Sequence, residues 1–182
     1  LSFTGEMGWE IFITPDFAEY VFEQLYQAGQ AYDLRLAGGE ALNALRIEKG
    51  FVHWGADMAY TESPHQIGLD FACHLDKDIA FTGKAAYLAR KAQAKGPFLC
   101  SIKLHQPDAM LHHNEPVLRD GTIVGFVTSG AFSAAQGSAV GLCLIAPPTE
   151  KSGVEALETG DYSVLVEGRT IPAILQRKAF AR

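Results

Sequence analysis

The residue best placed to do chemistry is Glu10, inside the opening stretch LSFTGEMGWEIFIT. Trp9 to Thr14 is rich in aromatic and β-branched residues and reads as a strand. Side chains alternate along a strand, so Trp9, Ile11 and Ile13 share one face while Glu10, Phe12 and Thr14 share the other. Large apolar groups on both faces predict a strand covered on two sides, with Glu10 part-buried. A carboxylate in that position is costly unless it accepts strong, directed hydrogen bonds. Two kinds of partner fit. A guanidinium of the same chain, Arg35 or Arg46, would make an internal fork-to-fork pair. A ligand with an amidine-like edge would present the same two parallel donors from outside. Phe3 and Trp54 could wall a flat ligand by stacking, and their bland alternative is the ordinary use of aromatics in a core.

The remaining candidates carry less. Glu6 shares the parity of Glu10 along an extended chain, and paired carboxylates do acid–base work when one pKa is pushed up. A loop acid is more often simply solvated. Arg46 and Glu48 lie two apart on a predicted helix and cannot face each other, so Arg46 must reach an acid elsewhere, with Glu10 the obvious one. Asp57 either caps a turn or lines a channel, and the turn is the reading adopted. His112 and His113, with His105 nearby, lack the spacing of a metal site. Gly121, Gly125 and Gly130 precede no helix and make no phosphate cradle. Ser101, Ser129 and Ser133 have no nucleophile-elbow context.

The elements that must position these residues follow from pattern. Thr4-Gly5-Glu6-Met7-Gly8 reads as a tight loop, since glycine takes positive φ without penalty. Thr14-Pro15-Asp16 starts a helix with a cap, a proline at the first helical position and an acid in the first turn. Phe17, Val21, Leu25 and Ala28 give that helix its apolar face, and Gly29 ends it. A second helix runs from about Gly39 to Lys49 and stops at Gly50. Pro64 and Gly68 mark a loop, and Phe71 to Leu75 reads as a short strand. Thr82 caps a third helix over 83–95, packed through Ala85, Ala86, Leu88 and Ala89. From Gly96-Pro97 onward the pattern is β: 98–105, 116–119, 122–128, 138–145, 162–166 and 170–175. Asp120-Gly121 and Glu167-Gly168 are two-residue hairpin turns. The expected architecture is α+β, a mixed part over 1–95 followed by a small antiparallel barrel or sandwich over 96–182.

The 182 residues are enough for one large domain or two small ones. Hydrophobic residues at 48% and charged residues at 20% match an ordinary soluble protein. A net charge of −6 argues against nucleic acid, and no apolar run reaches the ~20 residues of a membrane helix. Cys73, Cys100 and Cys143 are odd in number and widely spaced, which predicts reduced thiols in a cytosol-like compartment and no zinc site. The chain enters a structured motif within three residues of Leu1 and is read as a piece of a longer polypeptide.

Four motifs in order, FTGEMGWEIF, ALNALRIEKGFVHWGADM, SPHQIGLDFACHLDKDIAFTGKAAYL and EPVLRDGTIVGFVTSG, resemble the glycine cleavage T-protein (aminomethyltransferase) family. The similarity spans nearly the whole chain, and the LRIEKGF…WG run is most like the C-terminal part of dimethylglycine and sarcosine dehydrogenases. The resemblance implies that 1–95 is the later part of a folate-binding domain and 96–182 the family's C-terminal barrel. It implies tetrahydrofolate as cofactor, a small methylated amine as donor, and transfer of a one-carbon unit between them. The family acid that holds the pterin falls on Glu10, and the stacking aromatic, commonly tyrosine, falls on Phe3. Leu42 stands where T-proteins proper carry an arginine for the folate tail, and Gln66 where relatives often have glutamate. The family's catalytic aspartate lies upstream, so the resemblance places no catalytic residue in this chain and implies a piece inactive on its own, with any FAD in an upstream domain. It further implies the rest of the parent chain as a partner, and the cytoplasm or a mitochondrial matrix as location. The alternative is a non-catalytic folate-binding or interaction module on the same scaffold.

Overall fold

The structure is a computed structural model, and it describes residues 2–93, 96–148 and 154–181. Its centre is a closed six-stranded barrel. The strands are β1 (Phe98–Leu104), β2 (Pro116–Arg119), β3 (Thr122–Ser133), β4 (Ser138–Ile145), β5 (Tyr162–Val166) and β6 (Arg169–Gln176), ordered β1-β4-β3-β2-β5-β6 and closed by β6 against β1. All pairings are antiparallel. Both predicted hairpin turns form as their residues require. Asp120 and Gly121 take φ of 51° and 79°, and Glu167 and Gly168 take 48° and 78°. Positive φ at both central positions is the type I′ geometry whose twist matches that of the flanking strands.

Closure separates two apolar regions. Phe98, Cys100, Ile102 and Leu104 of β1 point inward and meet Val117, Cys143, Val164 and Ile171. Leu99 points outward and packs with Leu142 and Leu144 of β4 against Ile47 and Ile67. Every residue of β4 is therefore buried, because both faces of that strand are covered.

The covering layer comes from the first half of the chain. A 3-10 turn, Pro15–Phe17, leads into α1 (Ala18–Gly29); α2 spans Gly39–Glu48 and α3 spans Lys84–Gln93. Gly50 stops α2 with φ of 71°, as the sequence predicted. Ile47 on α2 is 2% exposed and lies in the outer cluster, with Ala44 of the same helix packed against it.

Four expectations are corrected. Trp9 to Thr14 forms no strand: no segment pairs with it among the described residues, and Trp9 and Phe12 are 92% and 90% exposed. Backbone pairing, not residue type, makes a strand. The apolar face of α1 is also open, with Phe17 and Leu25 exposed. Residues 70–72 form a 3-10 turn in place of the short strand expected over 71–75. On α3 the buried residue is Tyr87, while Leu88, Ala85, Ala86 and Ala89 stay exposed. The Tyr87 phenol donates to Asp70, and its ring packs beside His65, so the loop before α3 selects the buried face.

Candidate functional site

The fold first explains how the helical layer is fixed to the barrel. Arg46, on α2, is 3% exposed and Asp57 is 0% exposed, and the two form a buried ion pair. The Arg46 guanidinium also donates to Asn43 Oδ1 (2.9 Å), the Phe51 carbonyl (3.1 Å) and Ser129 Oγ (2.7 Å). Asp57 accepts from the His53 backbone N–H (2.9 Å) and from Thr128 Oγ1 (2.6 Å). Thr128 and Ser129 are neighbours on β3 and would ordinarily point to opposite faces. The register of β3 against β4 shifts between Val127 and Ser129, and this bulge lets both hydroxyls reach the same cluster. A buried charge pair is tolerable only when its remaining donors and acceptors are met, and here they are met from three segments: α2, residues 51–53 and β3. Asp57 therefore both closes its local turn and supplies the acid that Arg46 needs. The expected Arg46–Glu10 pair does not form.

Beside this cluster lies a cavity of about 640 Å³. The opening loop contributes Ser2, Phe3 and Glu10 to its lining; residues 49–52 continue it from the end of α2. Ile67, Leu69 and Phe71 form a further wall, the outer side of the barrel supplies Leu99, Ser101 and Leu142, and the segment after β6 adds Arg177 and Ala179. The walls are aromatic and aliphatic, with one carboxylate and two cations among them, the composition typical of small-molecule sites.

Phe3 is held by its neighbours. The Arg46 guanidinium carbon lies 5.9 Å from its ring centroid and the His53 ring 6.1 Å away. Glu10 is exposed rather than part-buried, because the covered strand that was to carry it does not form, and it makes no ion pair among the described residues. Arg35, the other internal candidate, pairs with Asp33 at 2.7 Å on the surface. Trp54 is 62% exposed and is not on the cavity lining; it forms an isolated bridge with Met58. Glu6 pairs with Lys49 at 2.8 Å. The staple of Arg46, Asp57, Thr128 and Ser129 and the lining residues Lys49, Phe71 and Arg177 were missed by sequence reasoning. The signals present were the need of Arg46 for a distant acid and the turn reading of Asp57, and nothing in the sequence joined the two.

The cysteines are free thiols. Burial pushes Cys100 up to about 11 and Cys143 well above its ordinary value, so both are inert inside the barrel. His105, His112 and His113 are exposed, and among the described residues no three His, Cys, Asp or Glu side chains converge as a metal site.

Residues 1–77 match the family model described as the GCVT N-terminal domain, and 98–181 match the glycine cleavage T-protein C-terminal barrel domain. The chain belongs to the glycine cleavage T-protein family. Within this family, 4-methylaminobutanoate oxidase (formaldehyde-forming) of Paenarthrobacter nicotinovorans is 37% identical over 180 residues, which is 99% of this chain and 21% of that protein. The mitochondrial dimethylglycine dehydrogenase of Rattus norvegicus is 37% identical over 133 residues, 73% of this chain and 16% of that protein. The T-protein fold is shared with the glycine cleavage system aminomethyltransferase T of Bartonella henselae, with a TM-score of 0.74 and 19% identity over 91% of this chain and 44% of that one. This T-protein family chain thus spans between about a sixth and under half of the proteins it matches. Among the described residues no helix is long and apolar enough to cross a membrane.

Proposed function

We propose that this chain is the folate-facing portion of a tetrahydrofolate-dependent one-carbon transferase, in a parent of the dimethylglycine or sarcosine dehydrogenase kind. Residues 1–95 are the later part of its folate-binding domain and 96–182 its barrel domain. The observation that carries the reading is the cavity lined by Phe3 and Glu10, in which the acid has no internal cation partner among the described residues. The donor set fits a pterin: a free carboxylate for the amidine-like ring edge, and aromatic and aliphatic walls for the ring faces.

Tetrahydrofolate, when bound, would supply a nitrogen pair able to accept a carbon at the oxidation level of formaldehyde, the level of the iminium left once a methylated amine has given an electron pair to an oxidant held elsewhere in the parent. Glu10 would hold the donor-edged ring by a charge-assisted contact. Phe3, backed by Arg46, fixes one wall. Ile67, Leu99 and Leu142 exclude water, so that the reacting partners meet in a defined geometry. The transfer acid and any flavin belong to other parts of the parent, which works in the cytoplasm or in a mitochondrial matrix; the dimethylglycine dehydrogenase relative is mitochondrial.

Calorimetric titration of the full-length protein with tetrahydrofolate tests this. Glu10→Gln should weaken binding by roughly 1.5–3 kcal/mol, about ten- to 150-fold. Unchanged affinity would remove Glu10 from the site.

A further inference from the structure

One buried polar side chain stands apart from the cavity that the folate reading uses. His65 is 8% exposed, and among the described residues neither of its ring nitrogens has a hydrogen-bond partner. The ring lies between Phe98 of β1, 6.2 Å away between centroids, and Tyr87 of α3, 6.1 Å away. Its own backbone belongs to the barrel side: the neighbouring Gln66 carbonyl accepts from the Leu99 N–H at 2.7 Å, and the Gln66 side chain donates to the Pro97 carbonyl at 3.1 Å.

α3 rests on this segment rather than on the barrel core, since among the described residues neither apolar cluster contains a residue of that helix. The Tyr87 ring packs on His65, the Tyr87 phenol donates to Asp70, and Lys91 Nζ donates to the same Asp70 oxygen at 2.9 Å. The Lys91 pair is half-exposed and contributes little. At the start of the helix Lys84 Nζ reaches the Lys77 carbonyl at 3.3 Å, where the chain itself is the tether. Against the helix lies a second cavity of about 400 Å³, whose lining includes Cys73, Phe81, Ala86, Tyr87 and Arg90.

A neutral imidazole can occupy such a place; an imidazolium would bury a charge with two unmet donors. Burial weighs most against a proton on His65; the Asp70 carboxylate favours it, and the Lys91, Arg177 and Arg90 charges oppose it. The Phe98 ring, on the β1 side, offers no acceptor. Asp70 also holds the Tyr87 phenol, so a charged ring turning towards that carboxylate would compete with the tie that keeps α3 in place. We propose that His65 is an acid-operated latch: neutral, it seats Tyr87 and keeps α3 closed against the second cavity; protonated, it leaves the gap between Tyr87 and Phe98, and α3 lifts. The latch is shut at neutral pH. The open state, where the ring has its ordinary pKa of 6.5, binds the proton more tightly, so opening becomes easier as pH falls below that value. The latch stands independently of the folate reading, because His65 does not line the larger cavity.

Hydrogen–deuterium exchange of the full-length protein, read by mass spectrometry and corrected for the chemical exchange rate at each pH, tests this. Between about pH 7.5 and 5.5, α3 should lose protection about tenfold, the ratio set by one proton taken up on opening, while β1 and β4 keep theirs. His65→Phe keeps the apolar seat and cannot titrate, so its α3 should stay protected at both pH values. His65→Gln, also uncharged, should likewise abolish the pH dependence, and it carries the test if the phenylalanine variant does not fold. An α3 that exchanges freely at neutral pH, a protection that does not change with pH, an equal loss in the His65 variants, or a loss shared by β1 and β4 overturns the latch.

Discussion

Replacing Asp57 with alanine should be among the most damaging single changes in this chain, and the reason is electrostatic. Arg46 is 3% exposed, and without Asp57 its guanidinium keeps only neutral acceptors: Asn43 Oδ1, the Phe51 carbonyl and Ser129 Oγ. Removing one partner of a buried pair leaves an uncompensated charge, at a cost of about 3–5 kcal/mol. Thr128→Val removes one neutral donor to the same carboxylate and should cost about 1–3 kcal/mol. Removing both charges, in Arg46→Met with Asp57→Ala, deletes the stranded guanidinium, so the double variant should be much less destabilised than the sum of its two singles. Urea unfolding followed by far-ultraviolet circular dichroism gives all four values, and the double-mutant cycle isolates the pair. The reasoning fails if Asp57→Ala costs under about 1 kcal/mol or if the two changes simply add. A positive result also bears on the cavity, since Arg46 backs Phe3, and the loop carrying Phe3 and Glu10 should loosen with it.

Two further expectations concern titration and thiol chemistry. His65 is 8% exposed, lies between the Phe98 and Tyr87 rings, and among the described residues has no hydrogen-bond partner for either ring nitrogen. Burial lowers its pKa from 6.5 despite the opposing pull of Asp70. The unfolded chain takes up this proton first, so stability complete above pH 6.5 declines as pH falls from there through the lower folded value. His65→Phe should flatten that part of a melting-temperature profile taken between pH 7 and 5 (an assay window of about two units), and an unchanged slope would show that another group is responsible. Iodoacetamide in native conditions should alkylate the partly exposed Cys73 first and reach Cys100 and Cys143 only after denaturant is added, because burial holds both thiols protonated. Mass spectrometry of the labelled peptides would expose early modification of either barrel thiol.

What could be read in advance was whatever neighbouring residues decide between themselves. Asp120-Gly121 and Glu167-Gly168 fix their turns because only certain residues accept positive φ at two successive positions, and those turns set the strand spacing of most of the barrel. Gly50 bounded α2 for the same local reason, whereas Gly29 closes α1 in a right-handed conformation and the left-handed residue is Asp33, four positions on. Placing Phe3 and Glu10 together on one lining came from likeness to a family, and the structure puts both on the same cavity.

The tertiary structure decided everything that depends on a distant partner. The partner of Arg46 is Asp57, and its third contact, Ser129, lies 83 residues away, a pairing no periodicity encodes. It exists because a bulge in β3 turns two adjacent hydroxyls to one side. Trp9 to Thr14 has the composition of a strand, yet a strand is a relation between two backbones, and the described residues supply no second one. Residue type set the turns and the helix ends; the closure of the barrel and the face that α3 buries required the chain to be folded, because each is a contact between segments whose separation in sequence carries no signal of their proximity in space.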